Sequence, residues 1–357
     1  MTPIADLARY SIQKLSPYES ARSLATQGSV FLDANEFPDS IVEGSSLNRY
    51  PDPQPKDLLD RFSHLYTVHP STLLVGRGSD EAIDLVVRTF CESGKDQILI
   101  CPPTYGMYEV SAQIQGAGII RVPLQAIEDT FALDVREILN RINQEPDLKV
   151  IFLCSPNNPT GTELDRTSLL RICESARNRC IVVIDEAYIE FSSDGSISQF
   201  LSDYPHLIIL RTLSKAWGLA GIRCGVAISS PEVIQLLNKI RAPYPLNTPG
   251  IKTVLEATAP SQEDRLKNRI LKLKQDREEL VTQILRLSVV KHIYPSETNF
   301  LLVKFNDSER IFYELKSKGI LVRNRSKEQG LEGCIRITVG TREQNQNLVS
   351  RLSEVLS

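Results

Sequence analysis

The sequence of 357 residues lacks several features that would place it in a particular class of protein. No stretch approaches the roughly 20 apolar residues that cross a bilayer, and residues 1–20 lack the apolar run of a secretory signal. The chain has 41 Lys and Arg against 44 Asp and Glu, a net charge of −3, and no basic block. Because binding to nucleic acid needs concentrated positive charge, the sequence argues against that partner.

The cysteines and histidines show no pattern of a disulfide or metal site. The seven cysteines include no C-x-x-C pair, and most lie in apolar segments, where a thiol acts as a small hydrophobe. Their odd number indicates a reducing compartment, so we expect a cytoplasmic protein. The four histidines have no metal-site spacing, and neither a Gly-x-Ser-x-Gly elbow nor a P-loop is present. We therefore expect no metal, and nothing supports hydrolase or kinase chemistry.

Short apolar runs, rich in Ile and Val, recur through the middle of the chain. Such runs without polar alternation are typical of strands buried on both faces of a parallel sheet. They are 97–101, 149–154, 180–185, 206–210 and 224–229. Between two of them, residues 162–178 have helical spacing, with a start predicted at Thr162 and Glu163. The alternation predicts an α/β fold with a mainly parallel central sheet.

The pattern changes after residue 250. Residues 261–288 place apolar side chains at helical spacing with charges on the other face, which predicts a long amphipathic helix. A helix is predicted at 308–319, and further strands at 299–305, 320–325 and 334–340. We expect a large domain and a smaller α/β domain, divided as 1–44 (N-terminal arm and part of the small domain), 45–250 (large domain) and 251–357 (small C-terminal domain).

Polar side chains follow three of the apolar runs at the point where each predicted strand ends. The segment SPNNPTG (155–161) follows the second run, DEAY (185–188) the third and TLSK (212–215) the fourth. Ligands of open parallel sheets bind outside the carboxyl ends of the strands. We therefore expect an amide, a carboxylate, a phenol and a lysine to converge on one ligand.

These groups suit the chemistry of pyridoxal phosphate (PLP). Burial lowers the pKa of a lysine, and the neutral amine of Lys215 could then attack an aldehyde such as PLP. PLP enzymes pair the ring nitrogen with Asp or Arg, and Asp185 is the candidate. Asn158 and Tyr188 could donate hydrogen bonds to the ring hydroxyl, and Tyr105, which follows the first run, could stack on the ring.

A glycine-rich turn and helix at 76–90 could hold the cofactor's phosphate. Ser79 is the predicted N-cap, and N–H groups at a helix start bind phosphate. Ser214 and Arg223 could add a hydroxyl group and a positive charge. Taken alone, each of these segments has an ordinary explanation as a turn, a cap or a solvated lysine. Their order at successive strand ends favours a shared site.

The segments GRGSDEAI, CPPTYGMY, SPNNPTG, VIDEAYIEF and TLSKAWGLAGIRCG resemble, in this order, those of the PLP-dependent aminotransferases of fold type I. More narrowly, the chain is similar to the class II histidinol-phosphate aminotransferase family, through SPYESAR, LDANEFP, NRYPDPQP, RAPYPLNTP and CIRITVGTREQN. The resemblance runs from about residue 16 to the C terminus. Trp217 stands where this family more often has phenylalanine, and we expect that change to affect packing alone.

The resemblance implies transamination between L-histidinol phosphate and 2-oxoglutarate, giving imidazole-acetol phosphate and L-glutamate, in histidine biosynthesis. It implies that Lys215 holds PLP covalently and then acts as general acid and base. The implied cofactor-binding residues are Ser79, Asp80, Tyr105, Asn158, Asp185, Tyr188, Ser214 and Arg223, with Tyr50 contributed by the neighbouring subunit of a homodimer. The implied substrate-binding residues are Tyr18, Asn35, Arg323 and Arg336. For Arg323 a surface salt bridge is the alternative.

Two other functions stay open at this point. An aromatic amino acid aminotransferase or a threonine-phosphate decarboxylase would share Lys215, Asp185 and SPNNPTG, so only the substrate pocket separates these enzymes. A non-catalytic regulator with the same fold would need an additional nucleic-acid-binding or partner-binding module. We expect the chain to have no room for one.

Overall fold

The computed structural model describes residues 4–21 and 30–354. The strands are β1 (Leu73–Gly76), β2 (Gln97–Ile100), β3 (Gly118–Arg121), β4 (Gln125–Ile127), β5 (Thr130–Ala132), β6 (Leu148–Cys154), β7 (Ile181–Asp185), β8 (Leu207–Thr212), β9 (Gly225–Ser229), β10 (Val290–Tyr294), β11 (Phe300–Phe305), β12 (Arg323–Asn324) and β13 (Cys334–Thr338). The α-helices are α1 (Tyr10–Gln13), α2 (Lys56–Tyr66), α3 (Ser79–Phe90), α4 (Met107–Gln115), α5 (Val135–Gln144), α6 (Arg166–Ala176), α7 (Pro231–Ile240), α8 (Thr248–Ala257), α9 (Glu263–Ile284), α10 (Ser308–Ser317) and α11 (Arg342–Glu354). Short 3-10 turns cover Ile4–Leu7, Pro70–Thr72, Ile189–Phe191, Ser198–Phe200, Ala220–Ile222 and Pro260–Gln262.

A seven-stranded sheet with the order β1-β9-β8-β7-β6-β2-β3 forms the centre of the molecule. Its pairings β3-β2, β2-β6, β6-β7 and β7-β8 are parallel, as the apolar runs predict. One core cluster on one face includes side chains of α2, α5 and α6, and a second cluster on the other face includes those of α3, α4 and α7. The sheet is therefore buried on both sides.

One strand of this mainly parallel sheet runs opposite to its neighbours. β9, whose direction the sequence analysis left open, pairs antiparallel with both β8 and β1. Parallel neighbours need a long crossover, usually a helix, whereas residues 213–224 contain only the 3-10 turn Ala220–Ile222. The chain therefore turns back beside β8.

A four-stranded antiparallel sheet with the order β10-β11-β13-β12 lies in the C-terminal part. Apolar side chains of α9, α10 and α11 pack against it in one cluster. The predicted strand at 320–325 is reduced to two residues, and the predicted long helix is confined to Glu263–Ile284. The domain boundaries at residues 44 and 250 stay a prediction.

Two predicted helix starts were wrong. α6 begins at Arg166, because the Asp165 carboxylate caps it by accepting a hydrogen bond from Ser168 N at 2.7 Å. α3 begins at Ser79 itself, and its N-cap is Gly78 with φ of 86°. Among the residues that the structure describes, no helix is long and apolar enough to cross a membrane.

Candidate active site

The carboxyl ends of β6, β7 and β8 open onto one cavity with about 560 Å³ of empty volume. The residues that line it are Ser79, Asp80, Tyr105, Cys154, Asn158, Asp185, Ala187, Tyr188, Thr212, Ser214, Lys215, Ala220 and Arg223. The polar side chains expected to converge at the strand ends are therefore neighbours. No group of three or more His, Cys, Asp and Glu side chains placed to hold a metal ion occurs within 4–21 and 30–354.

Lys215 lies in the loop after β8, and its Nζ is 5.5 Å from the centroid of the Tyr188 ring. The pKa of Lys215 is lowered, first by burial and then by the charge of Arg336. Asp185 and Asp80 oppose this shift. A lowered pKa increases the share of neutral amine, which is the form that attacks an aldehyde.

Asp185 is the last residue of β7 and is fully buried. Its Oδ2 accepts a hydrogen bond from the Tyr108 hydroxyl at 2.7 Å, and its Oδ1 accepts one from Ala187 N at 3.1 Å. Burial raises its pKa to about 6, although both hydrogen bonds act in the opposite direction. Because burial makes ionisation of this carboxyl group unfavourable, its ionised form favours a cationic partner such as a protonated ring nitrogen.

Asn158 and Tyr188 approach the cavity from the loops after β6 and β7. The Asn158 Oδ1 accepts a hydrogen bond from the Arg336 guanidinium. This contact joins the large sheet to β13 of the smaller one. Tyr188 packs edge-on against Phe300 with ring centroids 5.3 Å apart, and burial raises the pKa of its phenol. The phenol therefore stays protonated and can donate a hydrogen bond.

The start of α3 lies beside the lysine-bearing loop because glycines permit a close main-chain approach. A Cβ added at Gly225 would lie 2.4 Å from Ser79 N, so no larger residue fits without movement. Arg223, which has φ of 56°, places its guanidinium 3.3 Å from the Asp80 Oδ2. Open N–H groups, an arginine and the Ser214 hydroxyl thus surround one end of the cavity, a donor set that suits a phosphate.

Tyr105 lines the cavity beside the start of α3. Its hydroxyl donates a hydrogen bond to the Asp80 Oδ1 at 2.9 Å, which holds the Tyr105 side chain against the start of α3. Stacking on a cofactor ring stays a prediction.

Five predicted residues, Tyr18, Asn35, Tyr50, Arg323 and Arg336, lie outside the residues that line this cavity. Tyr18 and Asn35 are exposed, and Tyr50 stacks on Tyr244 with ring centroids 4.4 Å apart. Arg323 is exposed but is the β12 partner of Arg336 in the register. The register thus places Arg323 and Arg336, both predicted substrate residues, beside each other.

Sequence reasoning missed Tyr108, Cys154, Ala187, Thr212 and Ala220 at or beside the cavity. Tyr108 lies in the first turn of α4, three residues after Tyr105, within the segment CPPTYGMY that the sequence analysis had already singled out. Burial raises the pKa of Tyr108 well above its usual value, so its hydroxyl stays a donor toward Asp185.

A buried ionic cluster lies behind the cavity on the other face of β7 and β8. The Arg211 Nη2 contacts the Glu190 Oε1 at 2.9 Å, and its Nη1 lies 3.6 Å from the Glu186 Oε2. The Arg211 guanidinium also lies 4.5 Å from the centroid of the Tyr66 ring. This cluster connects the loop that carries Tyr188 to the strand that leads to Lys215.

Comparison with known proteins supports the resemblance seen in the sequence. The family model described as aminotransferase class I and II matches residues 20–352. Histidinol-phosphate aminotransferase of Salmonella typhimurium is 45% identical over 352 residues, which are 98% of this chain and 96% of that protein.

Two solved structures have the same fold. The histidinol-phosphate aminotransferase of Sinorhizobium meliloti in complex with pyridoxal-5'-phosphate has a TM-score of 0.78 at 26% identity, covering 87% of this chain and 83% of that one. The enzyme from Clostridium acetobutylicum has a TM-score of 0.78 at 22% identity, covering 87% and 91%. The predicted fold type I transferase fold is confirmed, and the chain belongs to the class I and II aminotransferase family.

Proposed function

We propose that the protein is a PLP-dependent histidinol-phosphate aminotransferase, which exchanges an amino group between L-histidinol phosphate and 2-oxoglutarate in histidine biosynthesis. The convergence of Lys215 and the buried Asp185 on one cavity carries this proposal. The 45% identity to proteins of that name supports the choice of substrate. The seven buried free cysteines agree with a reducing compartment, so we propose a cytoplasmic enzyme.

The donor groups of the cavity fit PLP. Asp185 would hold the ring nitrogen, Asn158 and Tyr188 the ring hydroxyl, and Tyr105 would lie beside the ring. The phosphate would be held by main-chain N–H groups of Ser79 and Asp80 and by the side chains of Ser214 and Arg223. When bound, the cofactor supplies an electron sink for the bond broken at the substrate's Cα.

Lys215 would serve both as the covalent attachment point and as the proton carrier. Its pKa is lowered, first by burial, which increases the share of neutral amine that can accept a proton. Held beside the substrate, Nζ takes the proton from Cα within one complex, which avoids the entropy cost of a bimolecular step.

Arg336 and Arg323 would bind the substrate's anionic group. A guanidinium binds phosphate and carboxylate in the same bidentate geometry, so one pocket can accept both amine substrates. The Arg336 guanidinium donates a hydrogen bond to Asn158, and Arg323 is paired with Arg336 across β12 and β13. Tyr18 and Asn35 would join this pocket from the N-terminal segment.

The surface of residues 30–50 supports a homodimer. Large apolar side chains of this segment are exposed in the single chain, among them Val30, Leu32, Phe37 and Ile41 with 76%, 90%, 73% and 100% of their surface accessible. Such a patch is typical of a protein–protein contact. Tyr50, in the same segment, would reach the phosphate of the partner's cofactor.

The absorbance spectrum of the purified protein with PLP tests this function. We expect a yellow band that L-histidinol phosphate alone converts to the pyridoxamine form. Phenylalanine and threonine phosphate are the controls for the aromatic aminotransferase and decarboxylase alternatives. A yellow band that responds only to one of these compounds would exclude histidinol phosphate as the substrate, and the absence of any band would contradict PLP binding.

In the cofactor-free protein, Asp185→Asn is expected to raise the free energy of unfolding at neutral pH. Burial raises the pKa of Asp185 from 3.8 to about 6. Ionising it at neutral pH therefore costs about 3 kcal/mol. The stability that the protonated group contributes is present below about pH 4 and is lost as the pH rises through about 6, whereas the variant lacks this dependence.

Urea unfolding of the cofactor-free proteins across this pH range measures the difference. Asp264→Asn, at a side chain that is 92% exposed, is the control and should follow the wild type. Wild-type and Asp185→Asn profiles that run parallel would contradict the assignment of the shift to this carboxyl group.

A further inference from the structure

The register of the smaller sheet places three arginines on one of its faces. Arg323 of β12 is paired with Arg336 of β13, and just beyond β12 the Arg325 N donates a hydrogen bond to the Cys334 O at 3.0 Å. Side chains alternate along strands, so Arg325 shares the face of Arg323, and residues paired across strands share a face as well. This is the face from which Arg336 reaches Asn158.

Arg325 is more buried than a surface arginine. Its side chain is 14% exposed, and its Nε lies 2.7 Å from the Glu328 Oε1. Burial lowers the pKa of Arg325 most; Glu328 opposes this, and the charge of Arg336 lowers the pKa further. The guanidinium keeps its charge at neutral pH. The side chain is therefore a desolvated cation held near other cations.

The charge on this face is unbalanced. Arg323, Arg325 and Arg336 all interact with the Glu328 carboxylate, whose single charge leaves an excess of positive charge among these described residues. Like charges that converge in a partly buried place repel each other, and a bound anion relieves this repulsion. A phosphate monoester carries about −1.5 to −2 at neutral pH, whereas the side-chain carboxylate of glutamate carries one charge. The excess of positive charge therefore favours binding of the phosphate over binding of the carboxylate.

We propose that Arg325 is a specificity-determining residue that strengthens binding of the phosphorylated substrate over that of glutamate. This inference rests on the proposed function, since it assigns a further residue to the anion pocket of the same site. Arg336 binds either anion, and Arg325 adds the charge that distinguishes a dianion from a monoanion. Glu328 holds Arg325 in place in the absence of substrate.

The test compares Arg325→Gln with the wild-type holoenzyme on both amine substrates. We expect the KM for L-histidinol phosphate to rise about tenfold or more, the KM for glutamate to change by less than about threefold, and kcat to stay near the wild-type value. Inhibition by inorganic phosphate should weaken by a factor similar to that for histidinol phosphate. Arg325→Lys, which keeps the charge, should restore much of the preference.

A purely structural ion pair would give a different result. Equal changes of the two KM values, or a changed melting temperature with neither KM altered, would overturn the proposal. The matched control is Arg177→Gln, which removes an arginine from an ion pair of the same i,i+3 spacing with Glu174 on the surface and should leave both KM values unchanged. If Arg325→Gln does not fold, an Arg325→Lys enzyme with equal losses on both substrates would likewise overturn it.

The activity of the wild-type enzyme distinguishes a failure of the proposed function from a failure of the role proposed for Arg325. A wild-type enzyme that does not use histidinol phosphate would contradict the proposed function itself. A wild-type enzyme that uses it, beside an Arg325→Gln enzyme with the same ratio of KM values, would contradict only the role of Arg325.

Discussion

Lys215→Ala is expected to lower kcat for transamination by at least about 10³-fold, since the change removes both the covalent attachment point and the general acid–base group. The variant should still bind PLP, because Asp185, Arg223 and the start of α3 remain. Single-turnover formation of glutamate from 2-oxoglutarate and L-histidinol phosphate measures the loss. Lys95→Ala, at an exposed lysine, is the control.

Addition of a small primary amine provides a second measurement on the same variant. If Lys215 carries the proton, a free amine that enters the vacated space should restore part of the rate in proportion to its concentration. Turnover of Lys215→Ala within about tenfold of the wild type would contradict the assignment, because general acid–base catalysis alone contributes more than that.

Arg211→Met is expected to lower the free energy of unfolding by about 3–5 kcal/mol, because it leaves buried carboxylates without their cation. The Arg211 side chain is 10% exposed, and those of Glu186 and Glu190 are 1% and 10% exposed. Burial already raises the pKa of Glu186. The loss should therefore be smaller near pH 5, where a carboxyl group without its partner holds its proton more readily.

Urea unfolding at two pH values measures this effect. Arg121→Met is the control, since it breaks an ion pair with Glu109 whose side chains are 48% and 35% exposed and should cost no more than about 1 kcal/mol. If Arg211→Met lowered the free energy of unfolding as little as Arg121→Met does, the buried carboxyl groups would have found other partners. Double replacement by Arg211→Met and Glu190→Gln should recover part of the lost stability.

The site was predictable where it depends on strand ends. Buried parallel strands have a recognisable sequence pattern. Asp185 ends such a strand, and Asn158 and Lys215 each follow one within a few residues. Their convergence then follows from sheet geometry. The same reasoning could not give the direction of β9, because that depends on the connection before it and not on its own residues.

Contacts between distant segments were outside the reach of sequence patterns. Tyr108 reaches Asp185 across 77 residues of sequence, and Arg336 reaches Asn158 across 178. Such contacts depend on how α4 and the smaller sheet pack, which no local periodicity encodes. The N-cap of α3 was placed one residue too late, at Ser79, for a related reason, since Gly78 occupies that position where the main chain of β9 lies against it.

The close contact at Gly225 limits which sequence changes are tolerated at the end of the cavity that would hold the cofactor's phosphate. There main-chain atoms meet main-chain atoms, and Gly225 lies opposite Gly76 in the register of β9 with β1. The span from the main chain of Lys215 to the first N–H groups of α3 is consequently set largely by the number of residues in the loop 213–224. Away from Ser214, Lys215 and Arg223, substitutions in that loop that preserve its backbone can accumulate, whereas an insertion or deletion of one residue would change the distance between the two ends that PLP must bridge.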